Sequence, residues 1–307
     1  MDVLYDVIIV GGGPAGLSAS LILARCLRKI VVFDTGKPRN MKSDASHGFF
    51  SQDGINPLEL LRIGREQLKK YKVQILNVEI VAAAKEDNFK VTDENGAIYY
   101  AKKLLIATGL KDLLPRVAGL DRFYGKSVFH CPYCDGYEKR FSKIAALGYR
   151  KTAVGLAMSL TNWSKDVILF TNGRKLMDKD YYKLESIDIK VIDEKISGLE
   201  GAYYLENIVL EGNYRIPRNV LFFSSDQYQR SHLADELGCT FAKNNVVETD
   251  EFQQTNIPGL YVAGDAARDV QLIVMAASEG TKAAVVINKT LQKEQLRSKI
   301  YNPELKK

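Results

Sequence analysis

A glycine-rich turn near the start of the chain, GGGPAG at residues 11–16, follows directly after the β-branched run YDVIIV. A β-branched run that ends at glycine predicts a buried strand. The next segment, LSASLILARCL, has the small and apolar residues of a helix packed on a sheet, and KIVVFD predicts a second strand. Strand, turn, helix and strand within about 30 residues predict a βαβ unit, whose two strands lie parallel in one sheet.

The glycine spacing in this unit is that of a dinucleotide-binding turn. Gly11, Gly13 and Gly16 give the pattern G-x-G-x-x-G, and Asp34 stands at the end of the second strand. In this pattern the first glycine makes the tight turn, the second lets the backbone approach a pyrophosphate, and the third lets helix and strand pack closely. The helix N-terminus supplies free N–H groups to the phosphates, and Asp34 can accept hydrogen bonds from ribose hydroxyls. The turn predicts a dinucleotide site without distinguishing FAD from NAD.

The remaining sequence alternates predicted strands and helices, as in an α/β protein. The first predicted elements are a helix over 57–71, strands around a turn at 94–96, a separate buried strand ending at 109, and a linker-like stretch over 112–130. A second βαβ pattern follows, with a strand at 143–147, a helix at about 152–161 and a strand at 166–170. The last predicted elements are strands in IKVI, NIVLE and NVLFFS, a crossover segment over 239–252, a strand in GLYVAGD, and a helix from about 274 to 291.

The two βαβ patterns predict two domains of Rossmann type, each with the three-layer ββα arrangement of a dinucleotide-binding domain. A chain of 307 residues is long enough for two hydrophobic cores. We predict that residues 1–113 and 245–307 form the first, discontinuous domain, and that residues 114–244 form a second domain inserted into it.

Four cysteines are too few for a disulfide framework. Cys26 and Cys239 are predicted to be small buried apolar groups, which suits a reducing, cytoplasmic location. Cys131 and Cys134 form the motif CPYCDG, and this spacing allows a small disulfide loop and lowers the pKa of one thiol. A zinc site needs four ligands, and even with His130 as a third ligand the sequence has no second CxxC. A redox pair and no metal is therefore the prediction.

Three motifs together resemble the FAD-binding segments of the flavoprotein disulfide reductases that have two dinucleotide domains: GGGPAG, LLIATG at 104–109, and GLYVAGD at 259–265. The CxxC in the intervening domain makes the chain most similar to the low-molecular-weight thioredoxin reductases, over nearly its whole length. This resemblance implies bound FAD and a homodimer. The residues that it implies for FAD binding are Gly11, Gly13, Pro14, Ala15, Gly16, Asp34, Thr108, Gly109, Gly264 and Asp265, where Asp265 has the alternative role of a helix N-cap.

The same resemblance assigns roles to the cysteine pair. It implies that Cys134 lies against the flavin, that Cys131 attacks the disulfide of the partner, and that Asp135 protonates the leaving thiolate. A turn-forming aspartate before glycine is the alternative for Asp135. His47 and His130 are further candidate proton carriers, each with a structural or surface role as the alternative.

The second βαβ pattern departs from the NADPH-dependent members of the resembled family. In KIAALGYRKTAVG, Gly148 and Ala153 fit the turn, but Arg150 occupies the middle position, where a side chain fills the space that a pyrophosphate needs. The His-Arg-Arg run that holds the 2′-phosphate in that family is missing, and Arg174 and Lys175 are possible substitutes or ordinary surface charges. These departures argue against ordinary use of NADPH.

Further variants resemble divergent thioredoxin reductase-like branches: PRN at 38–40, HGFF at 47–50 and ARDVQLIVMAASEG after Asp265. Those branches include forms fed by ferredoxin or a second flavin, and dithiol oxidases that use oxygen. By this analogy Arg39 and Asn40 lie near the flavin, and a turn after Pro38 explains them equally well.

The expected function is therefore an FAD-dependent disulfide oxidoreductase that reduces a thioredoxin-like protein or a small disulfide. A dithiol oxidase, an NADPH-dependent reductase with atypical contacts, and a flavin-binding redox sensor are the alternatives. The net charge of +6 is spread along the sequence without a basic stripe, so we expect no nucleic acid partner. The uncharged run over 7–24 contains GGGPAG, which interrupts a helix, so we expect no membrane span.

Overall fold

The computed structural model describes residues 3–224 and 226–301, which contain two parallel-stranded units. Its strands are β1 Leu4–Val10, β2 Ile30–Phe33, β3 Gln74–Leu76, β4 Ile80–Lys85, β5 Phe89–Asp93, β6 Ile98–Ile106, β7 Leu110–Asp112, β8 Val128–Phe129, β9 Ile144–Leu147, β10 Val167–Phe170, β11 Lys190–Ile192, β12 Ile196–Glu200, β13 Asn207–Leu210, β14 Arg215–Pro217, β15 Val220–Phe223, β16 Gln227–Gln229 and β17 Leu260–Val262. Its helices are α1 Pro14–Arg25, α2 Pro57–Lys69, α3 Leu120–Phe123, α4 Pro132–Asp135, α5 Lys151–Leu160, α6 Asp178–Glu185, α7 Leu233–Glu236 and α8 Ile273–Tyr301.

The first sheet has the order β3-β2-β1-β6-β5-β4, and β17 also pairs with β6. Strands β1, β2, β3, β6 and β17 are parallel, whereas β4 and β5 run antiparallel to their neighbours. Side chains alternate along β1, so Val7 and Ile9 face α1 and α8, and Ile8 faces a cluster with Phe89 of β5. Both faces of the parallel strands are thus covered, as the near-continuous apolar sequence of β1 requires.

The second sheet has the order β11-β10-β9-β15-β8 and is parallel throughout. Helix α5 packs on one face, where Ala153 and Ala157 join the core. The antiparallel sheet β12-β13-β14 supplies Leu199 and Ile208 to the core on the other face. These layers confirm the predicted fold class of two Rossmann-like α/β units.

A small antiparallel pair, β7 with β16, lies where the chain passes between the two units. Strand β7 follows directly on β6 of the first sheet, and β16 follows β15 of the second. After β16 the chain returns to the first unit, because Leu233, Ala234 and Cys239 pack in the core beside β1 and β6. The domain boundaries at 113 and 245 stay predictions.

Several sequence expectations were wrong in detail. The stretch 112–130 is more than a linker, since it contains α3 and β8 and buries Leu120 and Phe123 in the second core. Residues 239–252 hold no helix or strand of the described structure, only an isolated bridge between Phe241 and Val247, so they are not a crossover element. Cys26 is exposed, whereas Cys239 is buried as expected.

Two elements are longer than predicted. Strand β6 runs unbroken from Ile98 to Ile106 where two strands were expected, because its first residues pair with β5 over Ile98–Ala101 and the rest pair with β1 over Tyr100–Ile106. Helix α8 extends to Tyr301, well beyond Leu291, because polar residues on its exposed face do not end a helix. Across the described residues, none of the helices is both long and apolar enough to cross a membrane.

Candidate functional site

A single open cavity brings the two predicted functional regions together. It contains about 1560 Å³ of empty space, including the part open to solvent. Most of the predicted site residues line it, within the described part of the chain: Gly11, Gly13, Pro14, Ala15, Asp34, Arg39, Asn40, Thr108, Gly109, Cys134, Asp135, Gly264 and Asp265. Gly16 and Cys131 do not line the cavity themselves. Gly16 belongs to the glycine-rich turn, and Cys131 is bonded to Cys134.

The glycine-rich turn has the close packing that its sequence predicts. Gly11 has a φ of +110°, and a Cβ atom there would lie 2.2 Å from the carbonyl oxygen of Ala107. A Cβ at Gly16 would lie 1.9 Å from the carbonyl oxygen of Gly11. At Gly13, by contrast, a Cβ would meet no described atom within 4 Å, so the backbone faces open space. The turn therefore leaves room for a ligand only where a pyrophosphate is expected.

The first turn of α1 points a positive field into this open space. Pro14 follows the N-cap Gly13, which makes no side-chain cap, and the first turn carries no acidic residue. Its free N–H groups and the helix dipole favour an anion. Nearby, Thr108 Oγ1 is buried and finds no hydrogen-bond partner in residues 3–224 and 226–301. A buried hydroxyl without a partner is costly, and a polar ligand in the cavity would satisfy it. The residues present fit a dinucleotide such as FAD.

The cysteine pair forms a disulfide beside the same cavity. Cys131 and Cys134 are bonded, with their Cα atoms 5.3 Å apart. Cys131 is the N-cap of the short helix α4, and the backbone N–H of Cys134 donates to Cys131 Sγ at 3.2 Å. Cys134 faces the cavity that the glycine-rich turn also lines. An N–H group directed at sulfur stabilises a thiolate there when the disulfide opens.

Asp135 follows Cys134 at the end of α4 and is only partly exposed. Burial raises the pKa of its carboxyl from 3.8 to about 7, against the opposing effects of His47 and Lys139. A carboxyl with this pKa can both hold and release a proton near neutral pH, which general acid–base chemistry requires. Because Asp135 lines the cavity beside Cys134, the geometry favours an acid–base role over a purely turn-forming one.

The Arg39 guanidinium donates hydrogen bonds to two carboxylates and one amide from other segments of the chain. Its Nε donates to Asp112 Oδ2 at 2.8 Å, and its Nη1 donates to Asp265 Oδ2 at 3.0 Å and to Gln271 Oε1 at 2.6 Å. Burial alone would raise the pKa of Asp112, but the hydrogen bonds and charge of Arg39 lower it to about 2. Asp265 begins a 3₁₀ turn after Gly264, eight residues before α8, so it is not the N-cap of that helix.

His130 and Tyr124 attach the second unit to this network. Tyr124 Oη donates to Asp112 Oδ2 at 3.1 Å and lies 3.3 Å from His130 Nδ1. Burial, with a smaller contribution from the charge of Arg39, lowers the pKa of His130 to about 4, although Asp112 opposes the shift. His130 is therefore neutral at pH 7 and is poorly suited to deliver protons.

The basic groups near the second glycine turn are engaged by other side chains. The Arg150 guanidinium pairs with Asp226, its Nη1 lying 2.9 Å from Oδ1. Lys175 pairs with Asp193 at 2.8 Å, and the Arg174 guanidinium lies over the Tyr149 ring. A carboxylate stands beside each of the first two basic groups, and it would repel a nucleotide phosphate.

Some members of the site were missed by the sequence analysis. Asp112, Tyr124 and Gln227 have no motif around them, and Gln271 lies in the stretch ARDVQLIVMAASEG without a role having been assigned to it. Their roles come from contacts between distant segments. One signal was available: β7 ends in an aspartate directly after the LLIATG strand. The roles of the individual site residues stay predictions.

Comparison with known proteins gives matches that cover most of this chain. Residues 5–280 match the family described as pyridine nucleotide-disulphide oxidoreductase. The chain is 34% identical over 279 residues to "Thioredoxin reductase tcpT" of Claviceps purpurea, covering 85% of this chain and 86% of that protein. It is similar to the crystal structure of HlmI, with a TM-score of 0.93, 33% identity, and coverage of 97% and 95%. The oxidoreductase from Agrobacterium tumefaciens gives a TM-score of 0.88, 30% identity, and coverage of 95% and 99%.

Proposed function

This chain belongs to the pyridine nucleotide-disulphide oxidoreductase family, and we propose that it passes electrons between FAD and the Cys131–Cys134 disulfide and on to the disulfide of a thioredoxin-like protein. It is a thioredoxin reductase-like flavoprotein disulfide oxidoreductase that binds FAD. The proposal adds the partner, the direction of electron flow and the residues that carry it. A cytoplasmic homodimer is part of the same proposal.

One observation carries the proposal: Cys134 and Asp135 line the same cavity as the glycine-rich turn. A disulfide in a structural role would have no need of an adjacent carboxyl whose pKa lies near 7. Thioredoxin-type dithiols have reduction potentials near about −270 mV, within reach of a flavin. The cavity thus joins a cofactor site, a redox pair and a proton donor.

In the proposed site, Gly13 and the N-terminus of α1 hold the pyrophosphate, and Asp34 holds the ribose. When bound there, FAD would supply two-electron redox chemistry. In exchange with a partner, the Cys131 thiolate attacks a sulfur of the partner's disulfide, and Asp135 protonates the thiolate that leaves. Cys134 then attacks Cys131 Sγ and releases the second thiolate, so the partner gains two electrons and two protons while the pair returns to the disulfide.

The electron donor is proposed to be other than NADPH, such as ferredoxin or a second flavin. The pairing of Arg150 with Asp226, and of Lys175 with Asp193, supports this view, because neither basic group stands free of an anion. A dithiol oxidase would use the same residues with the opposite electron flow, from a dithiol through FAD to oxygen. The experiment below separates the reductase from the oxidase.

The test is anaerobic stopped-flow bleaching of the flavin by NADPH, NADH, reduced ferredoxin or a dithiol, each added alone, followed by reoxidation with oxidised thioredoxin or oxygen. The proposal expects rapid bleaching by reduced ferredoxin or another flavin donor, and reoxidation by thioredoxin. Bleaching by dithiols alone with rapid reoxidation by oxygen would favour the oxidase, and rapid NADPH turnover would refute the proposed donor.

Cys134→Ser should keep FAD bound and lose disulfide exchange; full exchange in that variant would end the proposal.

A further inference from the structure

His47 lines the cavity together with Cys134 and Asp135, from the loop between β2 and α2. Its Nδ1 atom is buried and has no hydrogen-bond partner within the described ranges. Two carboxylate oxygens stand just beyond hydrogen-bond distance of this atom: Asp53 Oδ1 at 3.7 Å and Glu138 Oε1 at 3.6 Å. An imidazole has two ring nitrogens, each able to bind a proton or to accept a hydrogen bond, so a ring placed between these carboxylates and the cavity can take up and give back a proton.

The loop holds Asp53 against His47. Ser46 and Ile55 pair across it, with the Ser46 N–H donating to the Ile55 carbonyl at 2.7 Å. The Gly48 N–H donates to Asp53 Oδ1 at 2.8 Å, which fixes the carboxylate beside the imidazole. The Asp53 side chain is 71% exposed and that of His47 only 20%. Asp135 and His47 thus both line the cavity, and the exposed Asp53 lies between His47 and solvent.

We propose that His47, with Asp53, carries protons between solvent and Asp135 when the Cys131–Cys134 disulfide opens and closes, an inference that rests on the proposed function. Opening the disulfide breaks the Sγ–Sγ bond and adds two electrons and two protons. When an added dithiol is the reductant, it loses two electrons and two protons and closes its own disulfide. Asp135 gives one proton to the Cys134 thiolate, and His47 replaces that proton on Asp135 and regains one from solvent beside Asp53.

The charged surroundings distinguish His47 from the other histidine of the cavity. His47 is faced by Asp53 on its own loop and by Glu138 and Asp135 on the segment that carries the cysteines, where Lys139 also acts on Asp135. His130 instead lies beside Tyr124, Asp112 and Arg39, and it is neutral at pH 7.

The FAD-loaded protein provides the test. The rate at which dithiothreitol opens the disulfide is measured by acid quench and thiol alkylation, over a range of pH, for the wild type, His47→Ala, Asp53→Asn and His232→Ala. His232 is the third histidine of the chain, exposed at the start of α7, and serves as the control. A positioned proton-transfer group contributes about 10²–10⁴-fold, so a residue that acts through Asp135 is expected to contribute about 10-fold.

The expected result is a loss of about 10-fold in His47→Ala at pH 7, restored by added imidazole, with a smaller loss in Asp53→Asn and none in His232→Ala. A second readout does not depend on turnover: the infrared band of the protonated Asp135 carboxyl, assigned with Asp135→Asn, should titrate at higher pH in His47→Gln, because a neighbouring cation is removed. An unchanged rate in His47→Ala, a loss that imidazole does not restore, or an unmoved infrared titration would overturn the relay. Exchange that survives in Cys134→Ser would instead defeat the proposed function itself.

Discussion

Replacing Asp135 by asparagine should stabilise the folded protein and at the same time slow its chemistry. Burial raises the pKa of this carboxyl from 3.8 to about 7 in the folded state. Between these two values the folded chain holds a proton that the unfolded chain has lost. The free energy of unfolding of the wild type therefore falls as the pH rises from about 4 to about 7, and then levels off. Asparagine is neutral throughout and lacks this loss.

The size of the effect follows from the same two values. A difference of about 3 pKa units corresponds to about 4 kcal/mol as an upper limit. The Asp135 side chain is only partly buried, so solvent screening reduces this to about 2 kcal/mol. For a chain of this length, 1 kcal/mol corresponds to a shift of about 2 °C in Tm. Asp135→Asn should therefore melt about 4 °C above the wild type at pH 8 and about level with it at pH 4.

Thermal unfolding of both proteins between pH 4 and 8 measures the first effect, and single-turnover disulfide exchange measures the second. Exchange should fall about 100-fold, the contribution of one positioned acid–base group. Asp87, exposed in the turn between β4 and β5, provides a control, because Asp87→Asn should change neither quantity. If the difference in Tm between Asp135→Asn and the wild type is independent of pH, or exchange is unaffected, the assignment of Asp135 is wrong.

Two further substitutions test the nucleotide sites. Gly16→Ala should yield protein without bound flavin, because its Cβ would lie 1.9 Å from the Gly11 carbonyl oxygen. The control is Gly155→Ala in α5, where a Cβ meets no described atom within 4 Å; this variant should keep FAD and gain about 0.5–1 kcal/mol of stability. A yellow Gly16→Ala protein would contradict the close packing. Arg150→Gly should leave NADPH oxidation slow in a spectrophotometric assay, because Asp193 still occupies Lys175, and a large rise in NADPH turnover would show that Arg150 alone blocks the site.

The predictable parts of the fold and site are those encoded by neighbouring residues. Gly11, Gly13 and Gly16 form one short turn, and Cys131 with Cys134 forms another, so each could be recognised from spacing alone. The Arg39–Asp112 contact joins residues 73 positions apart. The PRN motif draws attention to Arg39, but no local pattern shows that Asp112 is its partner. The small strands β7 and β16 escaped prediction for the same reason: each is three residues long, and each is stabilised by its partner rather than by its own sequence.

These long-range contacts also link the unit that holds the glycine-rich turn to the unit that holds the disulfide. Strands β7 and β16 offer only three residue pairs where the chain passes between the two units, which is little packing for a joint of this size. Asp112 stands at the end of β7, where Arg39 binds it from the first unit and Tyr124 binds it from the second. Polar contacts of this kind are specific in direction but contribute little net stability, because the desolvation of the charges offsets much of their attraction. The hydrogen bonds to Asp112 are therefore one polar link between the two units, and they can break and form again without unfolding either core.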